Sequence, residues 1–488
     1  MQVRSVAAAA LTALLLMTGC SKGSTEPPPP TGGPFEWAAF GDNSRVQTGH
    51  LVVPLDYSDP SKGTVDLFVA RHVAKASKRI GSLLVNPGGP GFGGSDFAIQ
   101  AEHVYSNDLL DRFDIVGWDP RGTGLSTPAI DCTDDYDHFY GTQDITPDDD
   151  TERQVGVDLA KEFAADCIAA DGDVLPYIGT NNSARDMDAI RAALGEAKIS
   201  YFGFSYGSEL GATWATLFPT TVRAAVLDGA VDPTADYVEQ SLQQSKGFEQ
   251  ALTTFLDQCS ADSKCAFHSD GHADIAFDAL MKAIDATPLP SADGRPPVNL
   301  EIAIAGVNQA MYTSDLWEQL AKALADAQRG DGAGLLALYD QYYNRKADGS
   351  HGNELEAFQA IYCMDLPDRL TVAEEDARVA DLLAVAPRVS PATIGSYFCT
   401  FFPPATDPRA AITGKGAGPI LVMGTTGDSA TPLAGTKQMA DTLDDGRLVI
   451  VTGDQHTGYD LNECSRQTVD DYLIDPVGHA PADGTQCP

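Results

Sequence analysis

The stretch YFGFSYGSELG, Tyr201 to Gly211, isolates one small polar residue, Ser205, between Gly203 and Gly207. The residues before it, ISYFGF (Ile199–Phe204), form a short apolar run with strand character. Those after it, SELGATWATLFP (Ser208–Pro219), read as a helix ended by proline. A serine between strand and helix with glycine on both sides is the pattern of a nucleophile elbow. The turn is so tight that strand and helix nearly touch, so its flanking positions tolerate almost no side chain. The helix N-terminus behind Ser205 also favours negative charge developing nearby.

Outward from this turn, strands and helices alternate. HLVVPLDY (His50–Tyr57), TVDLFVARHVA (Thr64–Ala74), GSLLVN (Gly81–Asn86) and FDIVGWD (Phe113–Asp119) read as strands. SARDMDAIRAALG (Ser183–Gly195) reads as a helix with Ser183 as N-cap and Gly195 as its stop. RAAVLDG (Arg223–Gly229) is the next strand. Successive helices then follow, including Thr313–Gln328 and Thr371–Ala386, before strand signals return at PILVMGT (Pro419–Thr425) and RLVIVTG (Arg447–Gly453). The pattern predicts an α/β protein with a mostly parallel central sheet and a helical cap inserted between two of its strands. The expected boundaries are 1–19 for a leader, 20–34 for a tether, 35–235 and 406–488 for the two parts of the core, and 236–405 for the insertion.

A serine hydroxyl needs a base, and the base needs an orienting carboxylate. The order Ser, acid, His along the chain belongs to the α/β-hydrolase arrangement. Past the insertion, PILVMGT runs into TGDSATP, which carries Asp428, and RLVIV runs into TGDQHTG, which carries His456. Both fall in loops beyond strand ends, where parallel sheets bind their ligands. Asp454 is the alternative acid, two residues from the base on the same loop. His479 is the only other histidine after Asp428 and has no strand before it, so it reads as a surface residue. An oxyanion also needs donors. NPGGPGFGG (Asn86–Gly94) supplies a bare glycine turn, and Gly89 with Tyr206 is the expected pair, since Pro90 has no N–H. No Gly-Lys-Ser/Thr follows these glycines, so a phosphate loop is not expected. Arg121, in DPRGTGLS, reads as a structural ion-pair partner.

The chain carries 32 Lys and Arg against 69 Asp and Glu, a net charge of −37, which disfavours nucleic acid as a partner. Arg4 and the apolar run Val6–Met17 form a leader too short to span a bilayer with ease. Its end, LMTGC, resembles a bacterial lipobox, which implies a lipid on Cys20 and an extracytoplasmic, membrane-anchored protein. SKGSTEPPPPTGGP (Ser21–Pro34) is then a proline-stiffened tether. Of nine cysteines, eight remain if Cys20 is lipidated. An exported chain favours disulfides, and sequence neighbours suggest Cys132–Cys167, Cys259–Cys265, Cys363–Cys399 and Cys464–Cys487. No Cys-x-x-Cys or His-x-x-x-His spacing points to a metal, and the chemistry needs no cofactor.

The pieces NPGGPGFGGS, GWDPRGTGLS, TNNSARDMDAIRAALG, YFGFSYGSELG, AVLDGAVDP, AIYCMD, GTTGDSATP and the cysteine-closed C-terminus together resemble the secreted tripeptidyl aminopeptidases and related prolyl-aminopeptidase-like α/β hydrolases of actinobacteria. The resemblance spans about Gly81 to Pro488. It implies a triad of Ser205, Asp428 and His456, an oxyanion loop at Gly88–Gly89, and release of short peptides from free N-termini. A carboxylesterase or lipase for envelope esters runs on the same triad, and a silent ligand-binding lipoprotein is the remaining alternative. An enzyme acting at the N-terminus must hold a cationic α-amine, which calls for a placed carboxylate. Asp365, in AIYCMD within the insertion, and Glu209, one helical turn from Ser205, are the two candidates.

Overall fold

A computed structural model describes residues 34–292, 294–392 and 396–488. The leader and Cys20 lie outside them. Ten strands form one sheet: β1 (Ala38–Ala39), β2 (Val46–Pro54), β3 (Thr64–His72), β4 (Gly81–Asn86), β5 (Phe113–Trp118), β6 (Ile199–Phe204), β7 (Val222–Asp228), β8 (Ile420–Thr425), β9 (Gly446–Val451) and β10 (Thr485–Cys487). Their spatial order is β1-β2-β3-β5-β4-β6-β7-β8-β9-β10. The first three strands and the β3–β5 pairing are antiparallel, and every pairing from β5 through β4 to β10 is parallel.

The parallel strands β4, β5, β6 and β8 are buried along their whole length. That burial explains why they read as unbroken apolar runs rather than alternating ones, since helices cover both faces. Each fully buried Leu or Val, such as Leu83, Leu84 and Val85, contributes about 1.5–3 kcal/mol. The order reverses direction around β4, whose neighbours are β5 and β6. Asn86 at the end of β4 lies beside Gly203 near the end of β6, so the glycine loop after β4 and the serine turn after β6 emerge side by side.

Between β7 and β8 the chain is helical, from Tyr237–Ala261 through Ala273–Ala286, Leu300–Met311, Trp317–Ala327 and Ala333–Tyr342 to Glu354–Asp365 and Val379–Val385. Asp236 caps the first of these by accepting the Glu239 N–H at 2.9 Å. The helices from Tyr237 to Tyr342 bury their apolar faces against one another in a core of their own. The helix Glu354–Asp365 instead joins the core on one face of the sheet. The expected single helix Thr371–Ala386 is two, broken at Arg378.

Three further features differ from the sequence reading. The helix expected from Ser183 begins at Thr180, with Ser183 buried inside it; a carboxylate from elsewhere in the chain supplies the cap, as described below. A 22-residue helix, Asp150–Asp171, escaped notice because its faces carry little apolar contrast. The C-terminal strand β10 is three residues long, too short for a periodic signal. The disulfides are Cys132–Cys167, Cys259–Cys265, Cys363–Cys399 and Cys464–Cys487, each joining sequence neighbours. They mark an extracytoplasmic protein. Among the described residues no helix is long and apolar enough to cross a membrane.

Candidate active site

Ser205 sits between β6 and the helix Tyr206–Leu217 with φ 55° and ψ −127°. A non-glycine residue at positive φ is strained, and such strain is held only where the surroundings enforce it. Here the Ser205 N–H is tied to the Asp228 carbonyl at 2.8 Å. The flanking glycines are required by space: a Cβ on Gly203 would press on the Gly207 carbonyl and lie 2.5 Å from the Tyr201 hydroxyl. The opening pattern is thus a turn in which helix and strand meet backbone to backbone.

His456 lies beyond β9. Its Nδ1 is 2.9 and 3.0 Å from the two Asp428 carboxylate oxygens and 3.2 Å from the Thr431 hydroxyl. Asp428 also accepts the N–H groups of Ala430, Thr431 and Thr457, so its lone pairs are filled and its orientation fixed. Nδ1 therefore carries the proton, and Nε2 is the nitrogen left to exchange one. Burial disfavours the imidazolium, but the charge and hydrogen bond of Asp428, helped by Asp228, outweigh it, and His456 ends above the ordinary histidine value. Asp454 is exposed and has no hydrogen bond to His456. His479 is exposed and faces Asp475 at 3.5 Å.

Serine and histidine converge across Asp228 and Gly229. A Cβ on Gly229 would be 3.1 Å from His456 Cε1. The Asp228 carboxylate, fully buried, accepts Gly458 N–H at 2.8 Å and Tyr459 N–H at 2.8 Å. Burial pushes it up to about 7 against the pull of those two amides. Asp228 was not singled out from the sequence, although its place at a strand end before a glycine was visible. Tyr312 was missed as well. Its carbonyl accepts the His456 N–H at 2.8 Å, and its ring stands 5.6 Å from the imidazole.

The glycine loop closes the other side. A Cβ on Gly88, at φ +104°, would lie 2.6 Å from the Phe204 carbonyl oxygen and 2.9 Å from Ser205 Cβ. The Gly88 N–H is already given to Asn86 Oδ1 at 2.9 Å. Among the described residues the N–H groups of Gly89 and Tyr206 have no partner, and both residues border a cavity of about 280 Å³ that reaches Ser205.

Glu209 also borders that cavity, but its carboxylate is paired with Arg409. Arg121 pairs instead with the buried Asp186, at 2.6 Å. Asp365 needs correction as a cavity residue. It is buried, and its carboxylate accepts the Thr180 N–H at 2.7 Å and the Thr180 hydroxyl at 2.5 Å. It caps the helix Thr180–Ala193, whose own N-cap, Gly179, has no side chain to do so. Burial pushes Asp365 up to about 7, opposed by the Thr180 bonds.

A model of the α/β-hydrolase fold family matches residues 81–463. The chain belongs to that family. It is a serine hydrolase, and its similarity to characterised members runs nearly end to end. It is 35% identical to the serine protease Hip1 of Mycobacterium tuberculosis, over 94% of this chain and 92% of the relative. It is 34% identical to carboxylesterase B of the same species, over 91% and 88%. With a tripeptidyl aminopeptidase of Streptomyces lividans it shares 30% identity over 88% and 81%.

Proposed function

We propose that this α/β hydrolase is an exported serine peptidase that removes short units from the free N-terminus of peptides. The observation that carries the reading is the doubly anchored His456: Nδ1 held by Asp428 at 2.9 Å, beside a strained serine. His456 Nε2 takes the Ser205 proton as Oγ attacks the scissile carbonyl. The oxyanion forms against the Gly89 and Tyr206 N–H groups, which the protein leaves unsatisfied for it. His456 then protonates the leaving amine, and water enters by the same base to cleave the acyl-enzyme.

The helical block supports action at a chain end, because it covers the cavity that reaches Ser205: Tyr237, Gln240, Phe358 and Tyr362 are among its walls. The serine protease and tripeptidyl aminopeptidase relatives support a peptide substrate. The carboxylesterase B relative supports ester cleavage on the same residues. Lipidation at Cys20, which would hold the enzyme at the membrane, belongs to the same proposal.

Labelling with a fluorophosphonate, followed by product analysis on short peptides with free and acetylated N-termini beside p-nitrophenyl esters, tests the reading. Labelling lost in Ser205→Ala and preference for free N-termini are expected. Ester cleavage without peptide cleavage would replace the peptidase with an esterase.

A further inference from the structure

The first helix of the helical block, Tyr237–Ala261, carries a buried glycine in its interior, Gly247. Glycine inside a helix is unfavourable relative to alanine, so its place there calls for a reason. The reason is contact. A Cβ on Gly247 would run into the Ser429 carbonyl oxygen and lie 2.8 Å from Pro432 Cγ. Ser429 and Pro432 belong to the loop that follows β8 and carries the triad acid, Asp428. The helix therefore meets the acid loop with nothing but backbone at this point.

The block holds the same loop at further points. Gln244 lies on the same helix face as Gly247, and its side-chain amide donates to the Ala430 carbonyl at 3.1 Å. The Ser429 hydroxyl, fully buried, donates at 2.9 Å to the carbonyl of Met311, which ends the helix Leu300–Met311. Ala430 packs within the block's own hydrophobic core. The base loop is fixed by the residues that follow Met311: Tyr312 accepts the His456 N–H at 2.8 Å, and Thr313 forms a bridge with Gln455. Acid loop and base loop are thus tied to consecutive residues of one segment of the block, while the helix through Gly247 bears directly on the acid loop.

We propose that the helical block positions the triad acid, and that Gly247 is the positioning residue whose missing side chain lets the acid loop seat against it. A methyl group at this position has to displace either the helix or the loop. Phe248, Ala251, Leu252 and Phe255 root the helix in the core of the block, and close-packed interiors yield little, so the loop moves. Asp428 then leaves the position from which its carboxylate meets His456 Nδ1 at 2.9 and 3.0 Å. The inference rests on the triad of the proposed function and not on the choice of peptide over ester, so an enzyme active on esters alone leaves it standing.

The test measures p-nitrophenyl ester hydrolysis by the full-length enzyme. Gly247→Ala should lower kcat by on the order of 100-fold, the cost of misplacing a catalytic group by about 1 Å, with KM little changed. Burial lowers His456, while Asp428 and then Asp228 raise it; burial keeps the hydroxyl of Tyr312, whose ring stands beside it, protonated. A receding Asp428 lets the imidazolium lose its proton more readily, so the acid limb of kcat/KM should move to lower pH. If the helix had room at this position, alanine would instead raise the urea midpoint and leave kcat unchanged. A Gly247→Ala enzyme with wild-type kcat overturns the proposal. So does one whose kcat falls while the acid limb stays in place, or whose KM alone rises. Should that variant not fold, Ser429→Ala decides, because it removes the Met311 bond without adding volume. A kcat reduced by about tenfold, as for one lost hydrogen bond, with the same movement of the limb supports the proposal; wild-type kcat or an unmoved limb overturns it.

Discussion

The backbone N–H of Ser205 is bonded to the carbonyl of Asp228 at 2.8 Å, and the carboxylate of that same aspartate holds the Gly458 and Tyr459 amides just past His456. One residue at the end of β7 thus sets the nucleophile turn with its backbone and the base loop with its side chain. In Asp228→Asn an amide NH₂ must face one of those N–H groups, and the loop shifts. A misplacement of about 1 Å costs on the order of 100-fold in rate, so kcat should fall with KM little changed. The pH profile separates this from a general loss of fold. His456 acts as base only when neutral, and the Asp228 charge helps to keep it protonated. Removing that charge should move the acid limb of kcat/KM to lower pH. An unmoved limb with unchanged kcat would leave Asp228 without this role.

The base itself is decided by paired substitutions. His456→Ala should abolish ester hydrolysis, by on the order of 10⁴-fold or more, while His479→Ala, at an exposed site beside Asp475, should leave it intact. The reverse outcome would move the base to the C-terminal loop.

Gly88→Ala tests how closely the glycine loop meets the nucleophile. The new methyl would be forced toward Ser205 Cβ and the Phe204 carbonyl from a φ of +104°. Fluorophosphonate labelling should slow by at least tenfold, because the loop can yield only by carrying the Gly89 N–H away from the oxyanion. Labelling at the wild-type rate would mean that the loop moves freely and that Gly89 is not the donor.

Ser205 and Asp428 were legible because they follow β6 and β8, strands buried along their whole length, and such strands announce themselves as apolar runs ending in glycine-rich turns; β9, before His456, is only partly buried but ends in the same kind of turn. Ser205, Asp428 and His456 needed only chain order to be grouped. Asp228 and Tyr312 were not legible, since their significance comes from partners far along the chain: Gly458 and His456 are brought to them by the fold alone. Asp365 misled for the same reason. Its place in the helical insertion suggested an acid for a substrate amine, while the real demand on it is the uncapped N-terminus at Gly179 and Thr180.

That capping role makes a last prediction, on stability. The folded protein holds Asp365 up to about 7 through burial, whereas an unfolded aspartate titrates near 4. Between those values the folded state keeps a proton that the unfolded chain has released, so this residue's contribution to stability declines as the pH rises across the window. Asparagine has no proton to lose there. Its oxygen can accept the Thr180 N–H, and its NH₂ can donate to the Thr180 hydroxyl, which then gives its own proton to the Tyr206 hydroxyl it already touches. Asp365→Asn should therefore lose less stability than wild type between pH 5 and pH 8, with the gap widening by up to about 1.4 kcal/mol per pH unit within the window. Urea unfolding midpoints taken across that range would decide it. Parallel curves for the two proteins would show that Asp365 is ionised in the fold throughout, with the Thr180 bonds outweighing its burial.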